Sequence, residues 1–289
     1  MIVETVDPGT EEVERVAEEY LLRYPDYSGA IALYGEVMKA QQEALEGLEC
    51  QLSLDEEERQ RSLLMGEPLV DPMDVPVERG AFLELFERLT GAVLEGRDSE
   101  LTVESVLAWP GLGEERFEQT RRAVLEGAEL SGDNEWSAED RNVVSGIFWE
   151  ALAPFYRKCG SILTFSMEQS MWQRGFCPFC GGAPLMGLFR RDDGLWLLEC
   201  SLCHSWWNVP RASCPFCDES EGSLKFLYLE QDKGQRAYYC GSCGTYVKTV
   251  DLREEDRTTL LPMEDVVTAM LDRAAEEEGL ERARGYTER

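Results

Sequence analysis

Residues 177–203 read CPFCGGAPLMGLFRRDDGLWLLECSLC, and residues 214–243 read CPFCDESEGSLKFLYLEQDKGQRAYYCGSC. Four CxxC pairs stand in these two stretches: Cys177/Cys180, Cys200/Cys203, Cys214/Cys217 and Cys240/Cys243. Two thiolates separated by two residues wrap one cation as a knuckle, and a second knuckle closes a tetrahedron with sulfurs about 2.3 Å from zinc. Apolar runs flank Asp192-Asp193-Gly194 in the first stretch and Asp232-Lys233-Gly234 in the second. Such polar-glycine junctions predict hairpins. Each hairpin brings its own two knuckles together, so neighbouring pairs, rather than crossed or nested ones, are expected to share a metal.

The two stretches form an internal repeat, with Cys177-Pro-Phe-Cys180 recurring as Cys214-Pro-Phe-Cys217. Gly181 and Gly244 follow the second cysteine of their knuckles, where glycine lets the backbone turn with positive φ and aim an N–H at a sulfur; His204 and Asp218 hold that position in the other two. Four sulfurs suit either zinc or iron. Zinc is redox-silent, whereas a single iron resembles a rubredoxin centre. Neither site offers an open position for hydrolytic zinc chemistry. Thioredoxin-like dithiol chemistry fits less well, because that motif follows a strand and opens a helix. Trp196, Trp206, Trp207, Phe216, Phe226, Tyr228, Tyr238, Tyr239 and Tyr246 crowd this region. Most are expected to pack against the ribbons, leaving a few for a partner.

The whole chain has 289 residues and a formal net charge of -29. Residues 1–160 carry 36 acids against 14 bases, residues 161–250 carry 9 against 8, and residues 251–289 carry 12 against 6. A near-neutral unit thus lies between two acidic ones. No basic cluster suits phosphate, so nucleic acid is excluded as a partner class. No run reaches 18 apolar residues, and no stable membrane insertion is expected. The acidic start MIVETVDPGTEEVERV lacks the basic and apolar regions of a signal peptide. A cytoplasmic protein is the expectation, in a compartment where clustered cysteines read as metal ligands before disulfides.

Residues 10–160 read as helical. Thr10 opens a stripe of Val13, Val16, Ala17, Tyr20 and Leu21 that Pro25 ends, and Ile31, Tyr34, Val37, Met38, Gln41 and Leu45 form a second. Further helices are expected over 55–64, around Phe82–Val93, and over 102–108, 112–127 and 138–158, the last capped by Ser137. Pro262 starts a final helix reaching about Glu278. Cys50 and Cys159 read as ordinary buried thiols. GxGxxG and GxxxxGK[ST] are absent. The lone histidine, His204, reads as structural, since no triad partners surround it.

Expected, then, is a mostly α N-terminal domain, two small β zinc-ribbon or rubredoxin-like metal-binding modules, and a C-terminal helix. The expected boundaries are 1–172, 173–210, 211–254 and 255–289. The metal ligands are expected to be Cys177, Cys180, Cys200 and Cys203 at one site, with Cys214, Cys217, Cys240 and Cys243 at the other.

The knuckles Cys177-Pro178-Phe179-Cys180-Gly181 and Cys200-Ser201-Leu202-Cys203, with Trp207 and Arg211, resemble the formate dehydrogenase accessory protein FdhE family. So do Cys214-Pro215-Phe216-Cys217 and the segment Cys240-Gly241-Ser242-Cys243-Gly244-Thr245-Tyr246-Val247-Lys248. The helical flanks agree in order and length. The resemblance implies a cytoplasmic, non-catalytic maturation factor that binds the catalytic subunit of a molybdenum- or tungsten-dependent formate dehydrogenase. It also implies iron in rubredoxin-like sites, and it makes Trp207, Arg211, Tyr246 and Lys248 candidates for ribbon support or subunit binding. A rubredoxin-like electron-transfer or redox-sensing protein is the alternative.

Overall fold

The computed structural model describes residues 9–97, 100–130, 136–163, 172–219, 224–230, 232–254 and 257–283. The tail after residue 283 lies outside the described residues. Helices come first: α1 (Thr10–Arg23), α2 (Ser28–Gly47), α3 (Glu56–Met65), α4 (Arg79–Leu94), α5 (Val103–Leu107), α6 (Phe117–Leu125) and α7 (Ala138–Leu163). Their ends follow local chemistry. The Asp55 carboxylate accepts from the Glu58 amide at α3, and Gly66 closes that helix with φ 70°. Ser137 accepts from the Asp140 amide at α7, as its sequence position predicted.

Most apolar stripes meet in one core, while Val13, Val16 and Tyr20 of α1 pack with Ile31, Met38, Met263 and Val267 in a second cluster. α2, α4 and α7 pack on one another, around an aromatic group of Phe82, Phe86, Phe117 and Phe148 with ring centroids 4.6–6.0 Å apart. This core continues without a break into the sheet, taking in Phe189, Trp196, Leu198, Trp207, Val209 and Val247.

Among the described residues seven strands follow: β1 (Pro184–Phe189), β2 (Trp196–Cys200), β3 (Trp206–Val209), β4 (Leu224–Leu229), β5 (Asp232–Cys240), β6 (Thr245–Asp251) and β7 (Glu281–Arg282). They form one sheet in the order β3-β2-β1-β6-β5-β4, with β7 also on β6. The two expected hairpins are therefore fused. β1 runs parallel to β6, with Gly187 opposite Thr249, Leu188 opposite Val250 and Phe189 opposite Asp251. Alternation sends one face to the helical core and the other to α8 (Leu261–Val267) and α9 (Ala269–Glu277).

Some expectations differ in detail. The linker after Cys203 supplies β3, which pairs with β2. In the second hairpin Leu229 already pairs with Asp232, ahead of the expected Asp232-Lys233-Gly234 turn, and a register shift absorbs the extra residues before Tyr228 meets Arg236. The C-terminal helix breaks at Thr268 into α8 and α9. Cys50 and Cys159, read from the sequence as ordinary buried thiols, form a disulfide with Cα atoms 5.2 Å apart, across a sequence separation of 109.

Candidate metal centres

Each knuckle is a tight loop built by its own backbone. The amide of Cys177 donates to Gly182 O at 2.8 Å, that of Cys200 to Ser205 O at 3.0 Å, and that of Cys214 to Glu219 O at 3.0 Å. Returning bonds run from Gly181 N to Cys177 O, from Asp218 N to Cys214 O and from Gly244 N to Cys240 O, at 2.9–3.0 Å. The residue after the second cysteine has positive φ in all four knuckles: Gly181 78°, His204 53°, Asp218 56° and Gly244 72°. Its amide at Gly181, Asp218 and Gly244 serves the loop carbonyl rather than a sulfur. Sulfur instead receives the amides two residues after the first cysteine: Leu202 to Cys200 Sγ, Phe216 to Cys214 Sγ and Ser242 to Cys240 Sγ, at 3.3–3.4 Å.

The structure brings Cys177, Cys180, Cys200 and Cys203 into one cluster and Cys214, Cys217, Cys240 and Cys243 into another, with all sulfurs of a cluster within 4.8 Å of one another. Individual spacings are 3.4 Å for Cys177–Cys203, 3.6 Å for Cys180–Cys200, 3.7 Å for Cys180–Cys203 and Cys217–Cys240, and 3.9 Å for Cys214–Cys243. A tetrahedron with 2.3 Å metal–sulfur bonds has edges of about 3.8 Å. The sulfur spacings fit that cage. Burial pushes the Cys177 and Cys180 thiols well above the ordinary range, and a cation beside them would favour their thiolate forms. Each cluster could therefore hold a metal ion, and the four-sulfur set accommodates zinc or iron alike.

The surroundings of the clusters differ. In the first, all four cysteines are buried. The segment before α4 lies along its first knuckle, with Leu69 N donating to Pro178 O at 2.8 Å and Val70 N to Phe179 O at 3.0 Å. The Trp149 indole of α7 donates to Ser201 O at 3.0 Å. The Ser205 hydroxyl lies 3.2 Å from Cys203 Sγ, and His204 Nδ1 lies 2.6 Å from the Glu199 carboxylate. In the second cluster Cys214 and Cys240 are buried, whereas Cys217 and Cys243 are exposed.

Three of the other four singled-out residues lie inside. The buried Trp207 indole donates to Arg174 O at 2.8 Å. Tyr246 donates to Asp272 at 2.8 Å, and the wholly buried Lys248 reaches Asp272 at 2.6 Å and Asp265 at 2.9 Å. These bonds tie β6 to α9 and to the end of α8. Arg211 is exposed. Ser205 and Glu199, which line the first knuckle pair, carried no spacing signal; the bond from Cys200 N to Ser205 O sets Ser205 there, and Glu199 lies on β2 opposite Trp206 of β3. Among the aromatics, Trp196, Trp207 and Tyr246 are buried, while Phe226 and Tyr228 on the edge strand β4 are 47% and 46% exposed.

Among the described residues no helix is long and apolar enough to cross a membrane. The sequence model described as "FdhE, central domain" matches residues 176–211, which span the first cluster. A protein named FdhE homolog from Pectobacterium carotovorum subsp. carotovorum is 32% identical over 174 residues, 59% of this chain and 53% of its own length. Protein FdhE from Salmonella paratyphi A is 30% identical over 176 residues, 56% of each chain. The chain thus spans about half the length of the curated relatives it matches. The crystal structure of the FdhE protein from Pseudomonas aeruginosa superimposes with a TM-score of 0.67 at 26% identity, covering 96% of both chains. The likeness to FdhE proteins read from the knuckles therefore holds in sequence around the first cluster and in fold along nearly the whole chain.

Proposed function

We propose that this chain is a cytoplasmic accessory factor in formate dehydrogenase maturation. In this reading it binds the catalytic subunit of a molybdenum- or tungsten-dependent enzyme, assists production of active enzyme, and does not itself oxidise formate. The observation that carries the reading is the superposition on an FdhE structure over 96% of both chains. The chemistry is compatible with a binding platform. Two metal-loaded four-sulfur clusters would stiffen the hairpins, because metal binding contributes folding free energy. A stiff surface loses little freedom when a partner docks.

Affinity capture of the tagged chain from anaerobic cells making formate dehydrogenase is the test. Recovery of the catalytic subunit or a maturation intermediate is expected. Capture that returns neither, from cells in which active enzyme accumulates normally without this chain, removes the accessory reading.

A second reading, as a rubredoxin-like electron-transfer or redox-sensing protein, is favoured by one observation: two cysteines of the second cluster are exposed. Anaerobic preparation followed by metal analysis separates the two readings. Reversible one-electron reduction of bound iron supports the second, and zinc in both clusters sinks it.

A further inference from the structure

The two clusters are built on the same repeat and differ in what lies over them. Each knuckle of the second cluster contributes one buried cysteine, Cys214 or Cys240, and one exposed cysteine, Cys217 or Cys243. The exposed sulfurs come from different knuckles and lie within 4.8 Å of each other. They form an edge of the cluster that two exposed cysteines supply.

The equivalent edge of the first cluster, Cys180 and Cys203, is covered from the helical layer. Leu69 and Val70 bond the backbone of its CPFC knuckle. The last turns of α7 close the other side: a Cβ added at Gly160 would lie 2.8 Å from Ser205 Oγ and 3.2 Å from the Phe179 ring. Among the described residues the second CPFC knuckle receives one such backbone bond, from Gly175 N to Pro215 O at 2.7 Å. Gly175 seats Phe216, and the exposed Arg174–Asp218 pair lies beside it at 3.0 Å. Among the described residues, that contact leaves Cys217 and Cys243 exposed.

We infer that the second cluster is an exchange site, at which an external thiol or other soft ligand enters along the Cys217–Cys243 edge, while the first cluster is sealed. Entry needs no oxidant. The incoming thiol sulfur bonds the cation, the bond to Cys217 or Cys243 breaks, and the proton of the incoming thiol passes to the released cysteine sulfur. Cys214 and Cys240 keep their hold throughout. The fold tolerates the opening because the second cluster lies towards the β4 edge of the sheet, whereas the four first-cluster sulfurs belong to the main core. Reaching the first cluster requires lifting α7 and the 69–70 segment, an opening of much larger extent. The inference rests on both clusters holding metal and is independent of the accessory role.

The test uses the full chain loaded anaerobically with two equivalents of zinc. Zinc release to the chromogenic chelator 4-(2-pyridylazo)resorcinol is followed in time, and N-ethylmaleimide labelling is mapped by peptide mass. One equivalent is expected to leave about 100-fold faster than the other or more. Cys217 and Cys243 should be alkylated first, with the far-ultraviolet circular dichroism unchanged. Cys243→Ser should abolish the fast phase and keep the slow one. If that variant does not fold, the labelling order of the unaltered chain decides. Release of both equivalents at one rate, first labelling at Cys177, Cys180, Cys200 or Cys203, or failure to take up a second equivalent overturns the inference. Two-phase release without capture of a formate dehydrogenase subunit would sink the accessory reading alone, and capture with single-phase release would sink this one alone.

Discussion

Asp218 sits at φ 56° after the second cysteine of its knuckle, the place that glycine fills at Gly181 and Gly244. Asp and His are among the residues that tolerate this region best, and the cost against glycine is about 1 kcal/mol. Its exposed pairing with Arg174 at 3.0 Å offsets little of that. Asp218→Gly is expected to hold or raise stability, and Asp218→Val to lower it by about 1–2 kcal/mol. Denaturant midpoints of the metal-loaded protein check this; equal midpoints for Asp and Val would refute the strain account. The CxxC spacing made the positive φ at Gly181 and Gly244 legible, along with the grouping of the knuckles. Which cysteines stay exposed was not legible, because repeated knuckles read alike and their covers come from distant segments.

At the scale of elements, close approach is decided by position within the sheet. Gly187 in β1 lies where an added Cβ would come within 2.7 Å of Trp196 Nε1 and 2.9 Å of Thr249 Oγ1. Those two atoms bond each other at 3.3 Å across the strand. Gly187→Ala should therefore displace the indole and cost about 1–3 kcal/mol. A change below about 0.5 kcal/mol by thermal unfolding would show that the site yields freely.

Between α2 and α7, Glu150 accepts from Tyr34 at 2.9 Å and from Gln41 at 2.7 Å. It forms part of the wall of an apolar pocket of about 210 Å³. Burial raises its carboxyl above the ordinary range, outweighing the two hydrogen bonds that favour the charged form. The folded chain thus holds this proton more tightly than the unfolded one. Its contribution to stability is most favourable below the unfolded pKa and falls as pH rises from there through the elevated folded value. Glu150→Gln should flatten that fall, measured as unfolding midpoints from about pH 4 to pH 7. An unchanged slope would remove Glu150 as its source.

The helices were readable because their apolar stripes repeat at helical spacing and end at caps, as Ser137 and Gly66 show. β3 and β7 were less so: each is short and exists by pairing with a strand already in place.

Across the whole molecule, polar groups join segments far apart in the chain. Glu264 on α8 is fully buried and accepts from Tyr20 of α1, from Arg257, and from Gln235 of β5, the last at 2.6 Å. Removing the carboxylate takes a shared acceptor from three groups at the meeting of the first helix, the sheet and the last helices. Glu264→Ala is expected to cost about 3 kcal/mol and to loosen α1 and α8 together. Urea unfolding with hydrogen exchange on both helices measures it; loss of protection at α8 alone would contradict the shared joint.

Local spacing was sufficient for the helices, the four knuckles, the two hairpins and their partition into two clusters, because each depends on residues near one another in the chain. The parallel β1–β6 junction, the Cys50–Cys159 bond, the covering of one cluster and the openness of the other needed the folded chain. Those features arise where segments tens to hundreds of residues apart compete for the same buried surface, and that competition is resolved by packing, to which residue spacing alone is blind.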